Sequence, residues 1–273
     1  MLLEWRKSLA LLEWEWFNLI KLGMPQLYEY DTIEENLKLA LELGLDFVEL
    51  NLNFGYCRKE MEAHTVCDLL KKYNLEATLH FYDEADLGSY DEVVCAYLTL
   101  LDRYAKLGKG YIKNINMHLI PGPVVTISGV KNYIYEKEYD LYIKRLIANF
   151  KKAEKICNDN NINMVIENTD NIPSYMKRVY YDLYKQGFRF CYDIGHDSLS
   201  YDIVYNINNE LNLPFDEFHI HDGTRAKCHL SLGNGDIDIK KFKELANKNN
   251  AYVVLEVKQK SDLIESVPIF KNL

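Results

Sequence analysis

The sequence predicts an α/β fold, a single (β/α)8 barrel, and three observations predict it. Short strand-like runs alternate with amphipathic helical stretches along the whole chain. The length of 273 residues suits one barrel domain of ~250 residues. No Gly-rich phosphate loop follows the first strand candidate, which an open doubly wound sheet would normally carry.

The elements follow in order. An extra helix over residues 2–15 precedes the first strand candidate, 17–23. Asp31-Thr-Ile-Glu-Glu35 reads as a helix start with acids in its first turn, and that helix ends at Gly44 before a strand over 46–50. A helix over 58–73 leads to a strand over 76–80; one over 90–107, closed by Gly108, leads to 111–118. A long helix over 132–158 leads to a strand over 163–167, and a helix over 173–185, closed by Gly187, leads to 189–193. Helix 201–211 precedes strand 217–221, helix 237–249 precedes strand 252–256, and a last helix closes the chain. No Pro/Gly/Ser-rich linker divides this series, so residues 1–273 read as one domain.

Composition narrows the function. The apolar fraction is 48% and the charged fraction 27%, which excludes a disordered chain. A net charge of −9 makes nucleic acid an unfavoured partner, because phosphate is repelled over most of the surface. The six cysteines form no CxxC pair and read as reduced thiols. Met-Leu-Leu-Glu-Trp-Arg at the start lacks an apolar signal core, and no run is apolar enough for a membrane span. A cytoplasmic location is therefore expected. A homo-oligomer is compatible with this reading.

The chemistry is expected at the C-terminal ends of the strands, where barrels of this type carry their sites. Six of the eight strand candidates end on or beside a metal-ligand residue type: His80, His118, Glu167, Asp193, His219 and Glu256. Barrel closure would bring all six to one rim, and such a concentration of polar groups calls for a cation. Imidazole and carboxylate suit zinc, manganese or cobalt, and no thiolate site is implied. Cys191, two residues before Asp193, is expected to pack lower in the lumen. His64 reads as an exposed or packed residue in mid-helix. His221 shares strand parity with His219 and so is a candidate substrate contact. His229, in the long loop after the seventh strand, is open between ligand, substrate contact and loop anchor. Arg225 and Lys227 in that loop are candidate phosphate contacts, or simply solvated cations. Phe54, Tyr56, Phe81 and Tyr82 are candidates for shaping the mouth.

Five ordered motifs carry a family likeness. They are Val165-Ile-Glu-Asn-Thr169, Tyr192-Asp-Ile-Gly-His196, His219-Ile-His-Asp222, the run from His229 to Asp238, and Val254-Leu-Glu256. Together they resemble the xylose isomerase-like barrel superfamily over residues 18–258. That group includes sugar isomerases and epimerases, inosose dehydratases and the endonuclease IV type of nuclease. The resemblance implies a metal quartet of Glu167, Asp193, His219 and Glu256, with one or both glutamates moving the proton next to a sugar carbonyl. It further implies that His196 contacts substrate and that Asp222 orients a ligand. The endonuclease IV pattern instead implies further ligands at His80 and His118, and a third site from His196 with an Asp-x-His pair. Here that pair reads Lys227-Cys-His229, so a complete third site is not expected. A sugar or sugar-phosphate isomerase or epimerase is the first expectation, and a metal-dependent hydrolase or lyase the second.

Overall fold

The computed structural model describes residues 20–170 and 172–273. Eight parallel strands close into a barrel. They are β1 (Lys21–Pro25), β2 (Phe47–Asn51), β3 (Glu76–His80), β4 (Ile112–Leu119), β7 (Asn163–Asn168), β8 (Phe190–Asp193), β9 (Phe215–Ile220) and β10 (Tyr252–Leu255). Closure is made by β1 on β10, where Lys21 aligns with Tyr252 and Gly23 with Val254. Every strand is buried on both faces, by helices outside and by the lumen inside, which explains the near-continuous buried runs. The expected extra helix over 2–15 and the start of the 17–23 strand lie outside the described residues.

Helix α1 (Ile33–Glu42) starts where Asp31-Thr-Ile-Glu-Glu35 predicts. Thr32 is its N-cap, and the Glu35 carboxylate accepts the Thr32 amide at 3.0 Å, completing a capping box. The helix expected over 58–73 is two helices, α2 (Gly55–Glu62) and α3 (Val66–Tyr73). His64 sits in the break, exposed and with a φ of 57°, a backbone conformation no helix interior accepts. α4 (Asp91–Gly108) matches its expected span.

The long helix expected from 132 begins later. A β-hairpin, β5 (Val124–Ile127) with β6 (Val130–Tyr133), precedes the short α5 (Ile134–Lys137) and the 21-residue α6 (Tyr139–Asp159). Val124, Val125, Ile127 and Val130 are exposed on that hairpin, so their β-branched pattern reflects local pairing and not core burial. After α7 (Met176–Lys185), a short helix α8 (Ile194–Leu199) that the sequence did not announce precedes α9 (Ile203–Leu211), which matches the helix expected over 201–211. The two are separated at Tyr201 and Asp202, both with positive φ. α10 (Ile239–Asn249) and α11 (Lys260–Asn272) complete the ring. No helix among the described residues is long and apolar enough to cross a membrane.

Register sets the height of the site. His118 of β4 lies opposite Glu167 of β7, Asp193 of β8 opposite His219 of β9, and Asn51 of β2 opposite His80 of β3. Because parallel strands present every second residue to the lumen, Glu217 lies one layer beneath His219.

Candidate metal centre

A cavity of about 550 Å³ opens at the C-terminal ends of the strands. His80, His118, His196, Cys228, His229, Glu256 and Lys258 line it, with Asn51 and Asp83 on one side. At its floor Glu167, Asp193, His219 and Glu256 each offer a ligand atom within 4.8 Å of the others.

The centre of that cluster carries an electrostatic defect. His219 Nδ1 is 3.1 Å from a Glu167 oxygen and 3.1 Å from a Glu256 oxygen. Yet Glu167 Oε1, His219 Nδ1 and Glu256 Oε2 are all buried and make no hydrogen bond. Groups brought this close without directed bonds are costly unless a cation sits among them. The residues present therefore fit a divalent ion with a mixed nitrogen and oxygen shell.

The surroundings fix which atoms face inward. The Nδ1 of His80 donates to the Phe81 carbonyl at 2.8 Å, and that of His118 to the Asp83 carbonyl at 3.1 Å. A carbonyl only accepts, so both rings carry their proton on Nδ1 and turn Nε2 inward, 3.4 and 3.5 Å from Glu167 Oε2. His219 is held the other way round. Its Nε2 faces the Glu49 carboxylate at 3.2 Å, which leaves Nδ1 for the centre. Asn116 donates to Glu167 Oε2 from the neighbouring strand. The Asn168 side chain donates to the Asp193 carbonyl at 2.7 Å and accepts the Asp193 amide at 2.9 Å, pinning that backbone to the neighbouring strand.

Charge follows this geometry. Burial would push the Glu167 carboxyl up, but the His219 and His118 charges outweigh it and hold the group well below the usual range. Glu256 is held low in the same way, against burial, by Lys258, His219 and His229. Asp193 is lowered against burial by His196 and His221. In return, and again against burial, the carboxylates raise His80 and His196 to about 10, His80 chiefly through Glu167 and His196 through Asp193. With no cation bound, the histidines carry the positive charge the carboxylates need.

Several expected residues stand elsewhere. His221 is fully buried and does not line the cavity. Its Nδ1 accepts the His229 amide at 2.8 Å and its Nε2–H meets Asp193 at 3.1 Å, so it positions Asp193 and both nitrogens are taken. Arg225 pairs outward with Asp202 at 2.5 Å and donates to the Ser198 carbonyl, tying its loop to α8; it does not reach the cavity. Lys227 is exposed and also outside the lining. Asp222 takes the amides of Gly223, Gly233 and Ile237, so it organises the loop over 221–238 and touches no ligand candidate through its carboxylate. Phe81 is buried beneath the rim, and Phe54, Tyr56 and Tyr82 are likewise absent from the cavity wall. Cys191 packs in the lumen beside Glu167 and His219, its thiol pushed up by burial.

Sequence reasoning missed Glu49, Asn116, Cys228 and Lys258. Glu49 had a signal, an acid in the middle of a strand buried on both faces. Cys228 stood between two residues already singled out. Lys258 follows Glu256 by two, and its ammonium lies 2.6 Å from the Glu256 carboxylate.

The family described as xylose isomerase-like TIM barrel matches residues 37–273. The chain belongs to that family. It is 26% identical over 256 residues to an uncharacterized protein of Methanocaldococcus jannaschii, covering 89% of this chain and 94% of that one. Among solved structures it is similar to a D-tagatose 3-epimerase-like protein, at 17% identity and a TM-score of 0.74, over 93% of this chain and 96% of the other. A 3-keto-D-glucoside 4-epimerase from E. coli superposes with a TM-score of 0.72 at 15% identity, over 93% of this chain and all of that one (100%). A D-psicose 3-epimerase solved in the presence of D-fructose gives 0.65 at 15% identity, over 93% and 96%. At these identities the likeness concerns the fold.

Proposed function

We propose that this barrel is a divalent-metal-dependent sugar epimerase or isomerase, moving the proton on the carbon next to a carbonyl. The observation that carries the reading is the convergence of Glu167 Oε1, His219 Nδ1 and Glu256 Oε2, three buried atoms without hydrogen bonds at the floor of an open cavity. Glu167, Asp193, His219 and Glu256 would hold the ion. When bound, such an ion polarises a carbonyl and its neighbouring hydroxyl and stabilises the developing enediolate. The cavity volume lies in the range of small-molecule sites, ~300–1,000 Å³. The epimerase descriptions of the similar structures support the same chemistry.

The chain's own part is positioning and proton transfer. Glu167 and Glu256 flank His219 from β7 and from the end of β10, so a sugar carbon above the floor would have a carboxylate on either side. For epimerisation one carboxylate takes the C–H proton and the other returns a proton to the opposite face; for isomerisation one carboxylate carries it between adjacent carbons. Asn116 and His221 keep the Glu167 and Asp193 carboxylates from rotating away, and Asn168 fixes the Asp193 backbone.

The test is exchange. D-tagatose, D-fructose or D-allulose incubated with metal-loaded protein in deuterated water should gain deuterium at the carbon beside the carbonyl. Glu167→Gln and Glu256→Gln should abolish that gain, with metal content measured separately. Exchange retained in both variants refutes the assignment.

One arrangement favours a second reading. His80 and His118 both turn Nε2 toward Glu167 Oε2, which is a ligand set for a second ion and suits hydrolysis of a phosphoester. Absent C–H exchange, together with metal-dependent cleavage of a model phosphodiester that His80→Ala removes, would establish that reading instead.

A further inference from the structure

The cavity above the floor cluster continues beyond its wall. Lys258 lines it and also lines a second hollow of about 810 Å³. That hollow lies between the turn after β1, with Tyr28 and Glu29, and the turn from β10 into α11, with Gln259 and Ser261. β1 and β10 are neighbours in the barrel, and Glu29 ties their turns together by accepting the Lys260 amide at 2.7 Å. The first turn is anchored from below, since Leu27 is buried and its amide rests on Asn36 at 2.9 Å. Tyr28 thus stands on a fixed turn and is nevertheless 87% exposed, an aromatic ring held out over a groove that leads to the site.

Charge narrows what can lie there. Among the described residues Lys258 is the one lysine or arginine in the cavity wall, and its ammonium is engaged by Glu256 at 2.6 Å. Asp83 and Asp170 stand on the same wall, and Arg225 and Lys227 do not reach it. In the second hollow Lys260 is accompanied by Glu29. The amide at the start of α11, where an anion would dock, already carries the Glu29 carboxylate. A phosphate ester would therefore meet carboxylates at both places. An uncharged, hydroxylated ring meets the opposite: the Tyr28 face and the Lys258 stem for its C–H surface, and the Gln259 carboxamide and Ser261 hydroxyl for its hydroxyls.

We propose that the substrate is an uncharged keto sugar joined to a second neutral sugar ring. The reacting unit sits over the floor cluster, and the second ring crosses Lys258 and packs on Tyr28 between the two turns. The proposal rests on the epimerase or isomerase reading above and narrows its substrate, setting phosphorylated sugars aside. The two hollows, about 550 and 810 Å³, each lie within the ~300–1,000 Å³ of small-molecule sites, so each has room for one ring.

The test compares molecules that share one ketose. D-fructose, D-fructose 6-phosphate, palatinose (a glucosyl group on the same O6) and lactulose (a galactosyl group on O4) are ranked by kcat/KM for deuterium exchange in metal-loaded full-length protein. Palatinose or lactulose should exceed D-fructose about tenfold, and the phosphate ester should fall below it. Tyr28→Ala should cut the ratio of disaccharide to D-fructose about tenfold, while Tyr28→Phe keeps it, because the ring makes the contact. Binding is read separately by saturation-transfer NMR. Saturation should reach the glucosyl or galactosyl protons in wild-type protein and fall by about half or more in Tyr28→Ala. A preference for the phosphate ester, disaccharides exchanged no faster than a reactive D-fructose, an advantage that survives Tyr28→Ala, or no saturation at the second ring of either disaccharide would overturn the proposal. Absent exchange with all four sugars, beside a second-ring signal that Tyr28→Ala removes, would support the groove and count against the proton-transfer reading alone.

Discussion

Gly195 offers a direct test of how the Tyr192-Asp-Ile-Gly-His196 motif shapes the site. A Cβ added there would fall inside the His221 ring, within contact distance of Cε1 and Nδ1 and 2.7 Å from Nε2. Comfortable carbon contacts begin near ~3.5 Å, so the Gly195→Ala variant must displace the ring by an ångström or more. That breaks the bond from Nε2 to Asp193 and strands the His229 amide that now rests on Nδ1. Overpacking costs about 1–3 kcal/mol. Loss of the hydrogen bond to a buried carboxylate adds about 1.5–3 kcal/mol. At roughly 2–4 °C per kcal/mol for a domain of this size, the melting temperature should fall by about 5–24 °C. Because Asp193 loses its positioning partner, metal affinity should fall about 10–100-fold. Calorimetry with and without metal, and equilibrium dialysis, read the two effects. Gly55→Ala is the control, since its Cβ would meet only Arg58 Nη2 at 3.8 Å, and it should be neutral or slightly stabilising. The Gly195→Ala/His221→Ala double variant should be no less stable than His221→Ala, because the overlap is gone. A Gly195→Ala protein with wild-type melting and wild-type metal affinity would refute the reasoning.

Three further outcomes follow from the same site. His80 and His196 sit at about 10 in the folded, metal-free protein, above an unfolded value of about 6.5, so their stabilisation is full below the unfolded value and lost as pH rises through the folded one. Melting in chelator should therefore decline from about pH 6.5 to 10 and flatten when metal is added; a flat metal-free profile would contradict this. Lys258→Met removes the ammonium 2.6 Å from Glu256, and metal should then bind on the order of tenfold tighter, with unchanged affinity in dialysis counting against competition by the lysine. Asp222→Ala frees the amides of Gly223, Gly233 and Ile237, at a cost of about 2–4 kcal/mol, and should open the loop over 221–238 to limited proteolysis; an uncut loop would show that other contacts hold it.

The barrel was legible because its signal is repeated. Each strand is a short apolar run followed by a helical stretch, and Thr32 with Glu35 shows the local rule and the structure agreeing. What the sequence hid were a break inside one helical pattern and a short extra helix ahead of another. The backbone turns into the left-handed region at His64 and again at Tyr201 and Asp202, residue types that give no strong stop signal. The hairpin of β5 and β6 was invisible for the opposite reason. Its alternation serves a two-stranded ribbon in solvent, whereas a run ending in a helix start reads as part of the helix that follows.

The site was legible only as far as strand ends reveal it. His80, His118, Glu167, Asp193, His219 and Glu256 could be picked because each lies at or within one residue of a strand's end, and closure of the barrel then does the rest. Position along a strand does not tell which nitrogen of a ring faces inward. Here that choice is made by partners far away in sequence. Glu49 on β2 sets His219 on β9, Asp83 sets His118, and the Glu256 carbonyl sets His229. Nor does spacing separate a residue that meets the ligand from one that aims another. His221 and His219 have the same parity on one strand, yet only His219 turns an unpaired nitrogen to the centre, because Gly195 leaves room for the His221 ring to lie against Asp193. The glycine in the motif is thus a positioning element for the carboxylate two residues before it, and the ring that fills its place is the means.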